Sequence, residues 1–347
     1  MGVVAWYPAI DVKDGHLAPY LREGAREVTG SGLSAVFGRA VLDAPPAGRA
    51  QRPLLVFSHG YRAAPSAYTT LLEDLASHGY VVLSVVHPHE ATAARLADGA
   101  VVTAFDDAGS PRPIVRDVLN EWTNEDATLA RVTATPDDAG QLRILREYLS
   151  TMPHTTAALR RWVDDTTAVL DGLTMLPPAS PGGRVAAAAS LSRVGVFGHA
   201  MGGIAAGQFC LETARCRAAL NLDGSPQYGT MIDEPLSRPL LMVYSDREGR
   251  VGASEAVYRR ASSPYYRVEV RETLLQNFSD VGFWPEPLRP RGALGPIAPA
   301  AAAAITRRIV REFFDQELAG RPSPLLAGRE KWAWEQVSVA VHRPAPP

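Results

Sequence analysis

Gly198-His199-Ala200-Met201-Gly202-Gly203 lies between the apolar run Arg193 to Phe197 and a helical stretch from about Ile204 to Ala214. Glycines at this spacing permit a sharp strand-to-helix turn. Such a turn lifts its middle residue above a sheet, and in the pattern G-x-S-x-G that residue is a nucleophilic serine. Here it is Ala200, which has no oxygen with which to attack a carbonyl. Upstream, Ser58-His59-Gly60-Tyr61 ends a second apolar run, Leu54 to Ser58. A His-Gly turn in that place offers the Tyr61 backbone N–H to a developing oxyanion, with the Met201 N–H as the second donor. His59 reads as a structural histidine that bonds its own loop. Serine hydrolysis needs an attacking oxygen, a base to take its proton and an acid to orient that base. The amides are therefore expected here without the nucleophile.

Positioning such a site takes strands that end on one edge. Apolar runs at Leu54 to Ser58, Tyr80 to Val86, Arg193 to Phe197, Cys216 to Leu222, Pro239 to Tyr244 and Tyr265 to Val270 alternate with helical stretches. Tyr68 to His78 and Ile305 to Leu318 are two of these. The alternation predicts a mostly parallel sheet covered by helices on both faces. Residues 91–152 are polar, carry three prolines and contain helical pieces. They read as a lid-like insertion within one domain, residues 1–320. Leu176 to Ala189 is Pro/Gly/Ala-rich and is expected to be a surface loop. The Pro-rich tail, residues 321–347, holds KWAWEQVSVAV, which alternates like a strand, with Trp332 and Trp334 docked on the core.

With 347 residues, 46% hydrophobic and 21% charged, the chain has ample material for a large core. A net charge of −2 leaves no basic surplus for phosphates, so nucleic acid is not an expected partner. No run approaches the roughly 18 apolar residues of a membrane span. Cys210 and Cys216 make no disulfide framework, and Cys210 is expected simply to pack. With no export signal evident in MGVVAWYPAIDVKDG, the expected setting is the cytoplasm.

The ordered blocks resemble the platelet-activating-factor acetylhydrolase family of α/β-hydrolases, within a wider group of lipases and polyester hydrolases. They are Trp6-Tyr7-Pro8, VFSHGYRAAPSAYTTLLEDLASHGYVVLSVVHPH, the GHAMGG turn, and Leu274-Leu275-Gln276-Asn277-Phe278-Ser279-Asp280. The resemblance implies the α/β-hydrolase fold and ester chemistry. It places the nucleophilic serine at Ala200, the acid at Asp223 and the base at Leu275, directly before Gln-Asn-Phe. Two members of the triad are thus replaced. Asp246, after the following strand, is a second acid candidate.

Proton carriers that could serve a changed chemistry are Asp223, His87 and His199. Asp223 could equally be a satisfied structural carboxylate. His87-Pro88-His89-Glu90 could in principle bind metal, but its spacing favours a polar wall, and neither a metal nor an organic cofactor is expected. The expected ligand is a small lipophilic carbonyl or ester-like compound. A trapping substitution would explain Ala200 but not Leu275, whereas natural loss explains both. The leading reading is a non-hydrolytic enzyme of cyclase, isomerase or lyase type in bacterial specialised metabolism. The alternatives are an ester hydrolase seen as a Ser-to-Ala variant and a non-catalytic small-molecule binder.

Overall fold

The computed structural model describes residues 1–21, 31–48, 51–96, 98–225, 229–247 and 249–344. Strands β1 (Gly2–Trp6), β2 (Leu17–Pro19), β3 (Phe37–Val41), β4 (Arg52–Ser58) and β5 (Val81–Val86) come first. Then follow β6 (Ala94–Arg95), β7 (Val101–Val102), β8 (Ala189–His199), β9 (Cys216–Leu222), β10 (Leu240–Tyr244), β11 (Tyr265–Val270) and β12 (Val337–His342). The helices are α1 (Thr69–Ser77), α2 (Pro113–Glu121), α3 (Glu125–Thr133), α4 (Asp138–Ser150), α5 (Pro153–Met175), α6 (Pro181–Ala188), α7 (Met201–Glu212), α8 (Arg250–Tyr258) and α9 (Pro299–Ala319).

Eight strands form one sheet in the order β1-β5-β4-β8-β9-β10-β11-β12. The six inner strands run parallel, and β1 and β12 close the two edges antiparallel. Parallel strands covered on both faces read as unbroken apolar runs. In β4, Leu54 and Val56 join the core on one face, and Leu55 and Phe57 that on the other. The first core is covered by side chains of α4, α5, α7 and α8, such as Leu145, Trp162, Ile204 and Tyr258. The second is covered by α1 and α9, through Leu72 and Phe313 among others. The chain goes from β4 outward to β5 and returns to β8 on the other side of β4. In open α/β sheets, ligands bind at the carboxyl ends of strands flanking such a reversal. The turns after β4 and β8 meet there.

Residues 91–152 form the β6–β7 hairpin and helices α2 to α4. Val118, Leu129, Val132, Leu142 and Leu145 of this segment belong to the first core. Trp332 and Trp334 are half-buried against the second core, just before β12.

Two expectations are corrected. Leu176 to Ala189 is not all loop, because Pro181–Ala188 is helix α6. The Ser180 hydroxyl accepts from the Gly183 N–H as an N-cap, proline occupies the first turn, and the following alanines favour helix. Cys210 does not simply pack, because it forms a disulfide with Cys216. Cys210 lies in the last turn of α7 and Cys216 opens β9, and the return between them brings their Cα atoms to 5.0 Å.

Candidate functional site

Ala200 caps α7 with φ 50° and ψ −118°, a backbone conformation that costs a non-glycine residue about 1–3 kcal/mol. Packing holds it there. A Cβ on Gly202 would overlap the Ser58 and His59 carbonyls, and one on Gly203 would overlap the Asn221 amide. The Ala200 N–H donates to the Leu222 carbonyl at 2.8 Å. The sharp strand–helix elbow is thus complete, with a methyl group in the place of the hydroxyl. Met201 is the first residue of α7, so its N–H has no intrahelical acceptor.

The turn after β4 is held from both sides. His59 Nδ1 donates to the Gly60 carbonyl at 2.8 Å, and His59 Nε2 accepts from the His87 backbone N–H at 3.2 Å. In a trans peptide the N–H points away from the C=O. The bond that fixes the Gly60 carbonyl therefore also directs the Tyr61 N–H, which no backbone carbonyl among the described residues accepts. On the other side the Gly60 N–H donates to Tyr68 Oη at 3.1 Å, which donates in turn to His199 Nδ1 at 2.7 Å. His199 Nε2 lies 2.9 Å from the Leu275 carbonyl. That oxygen can only accept, so Nε2 carries the proton and Nδ1 is the acceptor. One chain of hydrogen bonds thus links the turn after β4, the elbow and the segment at Leu275.

These roles occupy two histidines. Burial depresses His199 to about 4, against the hydrogen bond it donates to the Leu275 carbonyl, and depresses His59 to about 3. His199 is therefore a neutral strut, and the expectation that it could carry protons meets a ring with both nitrogens engaged. Asp223 follows β9 at φ 56°, fully buried. Its carboxylate accepts from the Ser245 N–H at 2.9 Å and the Ser245 hydroxyl at 2.8 Å, which is the satisfied structural arrangement. Asp246 is exposed and accepts from the Glu272 N–H at 2.8 Å, as a turn aspartate does. Leu275 opens a 3-10 turn, half-buried, with its main chain held by His199.

His87 behaves differently from the expected pocket wall. Its ring is buried and stacks on Trp162, with centroids 3.9 Å apart. Nδ1 lies 2.8 Å from Asp165 Oδ2, and Nε2 lies 3.1 Å from Ser58 Oγ. Sequence reasoning missed Ser58 and Asp165. Glu90 is turned to Arg161 and the Trp162 indole N–H, and His89 is exposed, so the His87-Pro88-His89-Glu90 side chains do not converge. Among the described residues no group of three or more His, Cys, Asp or Glu could hold a metal ion.

Tyr61 is half-buried and meets Trp122 edge-on at 5.3 Å, and its hydroxyl approaches Glu90. A cavity of about 760 Å³ lies among α2, α3 and α4, lined by Glu121, Thr128 and Tyr148. A second of about 1360 Å³ lies by β1 and β3, lined by Trp6, Tyr20 and Asp280. Ala200, Tyr61 and Met201 line neither.

The sheet, the elbow and the turn after β4 define an α/β-hydrolase fold. A family model described as platelet-activating factor acetylhydrolase, isoform II, matches residues 27–102. A ferulic acid esterase from Streptomyces cinnamoneus superposes with a TM-score of 0.73 and 28% identity, covering 97% of this chain and 88% of that one. A probable 1-alkyl-2-acetylglycerophosphocholine esterase of Arthroderma benhamiae is 22% identical over 172 residues, 50% of this chain. The match spans about a third of that relative's length, 31%. These similarities support an esterase-like α/β-hydrolase resembling the platelet-activating-factor acetylhydrolases.

Proposed function

We propose that this chain binds a small lipophilic ester or ketone with its carbonyl oxygen at the Tyr61 and Met201 amides, and acts on it without an acyl-enzyme at position 200. The observation that carries the reading is the elbow at Ala200. Its backbone keeps the strained geometry that presents these amides, and its side chain has no oxygen. Donors fixed in advance stabilise a developing enolate or alkoxide as well as a tetrahedral intermediate. Non-hydrolytic chemistry of cyclase, isomerase or lyase type follows, with residues 91–152 as the lid over the site. Leu275, in the base position, makes that site drier.

Ester hydrolysis is the second reading. It is favoured by the esterase relatives and by the hydrogen-bonded Ser58, His87 and Asp165, which offer a nucleophile elsewhere. Among the described residues no helix is long and apolar enough to cross a membrane. A cytoplasmic setting loses the support of free cysteines, because the Cys210–Cys216 disulfide favours an oxidising compartment.

The test is a titration of ¹⁵N-labelled protein with short acyl and aryl esters and their ketone analogues. The Tyr61 and Met201 amide resonances are expected to shift most. Saturating ligand that moves neither amide would overturn the reading.

A further inference from the structure

Ser58 ends β4, and His87 follows the end of β5, its parallel neighbour. Ser58 pairs in register with Val85, so His87 stands two residues further along at the carboxyl edge. Asp165 comes from α5, whose Trp162 stacks on His87. The Asp165 carboxylate accepts, so His87 Nδ1 carries the ring proton and Nε2 is left to accept from the Ser58 hydroxyl. This is the connectivity and tautomer of an activated serine: hydroxyl, imidazole base, orienting carboxylate. Burial pushes His87 down while Asp165 pulls it up, so the ring is a neutral base at pH 7. On the adjacent strand Ser58 pairs with Gly198, two residues before the empty nucleophile position. Tyr61, whose N–H is directed by the His59 bond, is three residues ahead.

We propose that Ser58 is the acyl-accepting nucleophile of this chain, with His87 as its base and Asp165 orienting His87, acting on small carboxylic esters. The proposal rests on the hydrolytic reading above. In the first half-reaction Ser58 Oγ bonds to the ester carbonyl carbon, and its proton passes to His87 Nε2. The carbon–oxygen bond to the alcohol then breaks, and the alcohol leaves with that proton. In the second, His87 takes a proton from water and the hydroxide oxygen bonds to the acyl carbon; the bond from that carbon to Ser58 Oγ then breaks, Oγ takes the proton back from His87 Nε2, and the carboxylic acid leaves.

The structure shows the pair closed. Ser58 is 2% and His87 1% exposed, whereas the Asp165 side chain is 27% exposed. The Trp162 ring lies over His87, and its indole N–H donates to Glu90 Oε2 at 2.8 Å. Glu90 is held in turn by Arg161, which is 43% exposed. Arg161, Glu90 and Trp162 therefore form the latch through which a substrate enters.

The experiment is labelling with a small alkyl fluorophosphonate, in which Ser58 Oγ bonds to phosphorus and fluoride leaves, read by peptide mass spectrometry. p-Nitrophenyl acetate hydrolysis is followed in parallel. The intact chain is expected to take one label at Ser58, Ser58→Ala none, and Arg161→Gln to label several-fold faster. Arg161→Gln perturbs only a partly exposed ion pair, so it keeps the test valid where Ser58→Ala fails to fold. Hydrolysis that survives in folded Ser58→Ala overturns the assignment and leaves the esterase reading standing. A folded chain with no label at Ser58, alone or in Arg161→Gln, also overturns the assignment. A label at Ser58 without turnover supports the nucleophile and counts against the esterase reading.

Discussion

Placing serine at 200 and histidine at 275, as the resembling family pattern has them, tests the proposed site most directly. Ala200 already has the elbow backbone, so Ala200→Ser adds an oxygen without moving the main chain. Leu275→His puts an imidazole on a segment anchored to the elbow through His199. The expected acid, Asp223, is buried close behind but shares its carboxylate with Ser245. Members of a triad act as a unit, so either single change should gain little. A complete triad is worth about 10⁶ in kcat. With Asp223 divided between two partners, we expect about 10²-fold for the double variant, which is about 3 kcal/mol of transition-state stabilisation. The assay is p-nitrophenyl acetate hydrolysis in a Ser58→Ala background, so that activity arising at Ser58 cannot contribute. Fluorophosphonate mapping should place the adduct at position 200. A double variant with native melting and circular dichroism but no gain refutes the placement of the Tyr61 and Met201 amides and of Asp223.

Acid should destabilise the fold through its buried histidines. An unfolded histidine titrates near 6.5, while folded His199 titrates near 4 and His59 near 3, so the unfolded chain binds more protons across this window. Their contribution is present above pH 6.5 and falls on acidification, by about 3 kcal/mol for His199 and about 5 kcal/mol for His59. Burial raises Asp280 to about 6, which has the opposite sign, giving back about 3 kcal/mol as pH falls from 6 to 3.8. The histidines outweigh it, so denaturant midpoints should drop from pH 7 to pH 4; equal midpoints at both would contradict the assignment. His199→Ala leaves the Leu275 carbonyl without its donor and Tyr68 without its acceptor, and should cost about 2–4 kcal/mol by urea denaturation at pH 7. Reducing Cys210–Cys216 opens a short loop worth about 2 kcal/mol, so Tm should fall by about 3 °C in dithiothreitol. Gly202→Ala meets backbone carbonyls that cannot yield, and soluble folded protein should be lost.

Much of the fold was legible because its signals are local. Buried parallel strands announce themselves as apolar runs, and the glycines of the elbow are demanded by backbone overlaps. The tail strand β12 was visible as alternation, since an edge strand has one covered face. The pairing of Cys210 with Cys216 was not legible, because it depends on how tightly the chain returns from α7 to β9. Helix α6 was hidden by Pro181, Gly182 and Gly183, which punctuate a loop as readily as they start a helix. The cluster of Ser58, His87 and Asp165 is spread over more than 100 positions, and its members look ordinary one by one. Only the register of β4 on β5 makes the first two neighbours, and α5 adds the third. A usable signal existed: Ser58 ends one buried strand and His87 directly follows the next, so both belong to the same sheet edge.

The sharp elbow around Ala200 has a physical cause that separates fold from chemistry. Gly198 packs against Gly202, Gly202 against the carbonyls of Ser58 and His59, and Gly224 against the Ala200 carbonyl. The strain at Ala200 is therefore imposed by contacts among β4, β8, β9 and α7, and none of them involves the side chain at 200. The same holds at Leu275, where His199 grips the main-chain carbonyl and is indifferent to what the side chain carries. The side chains at 200 and 275 can therefore vary without loosening these turns. The groups whose loss would loosen them are His59, Tyr68 and His199, and all three remain hydrogen-bonded. What these contacts fix is the direction of the Tyr61 and Met201 N–H groups, and the proposed chemistry uses both.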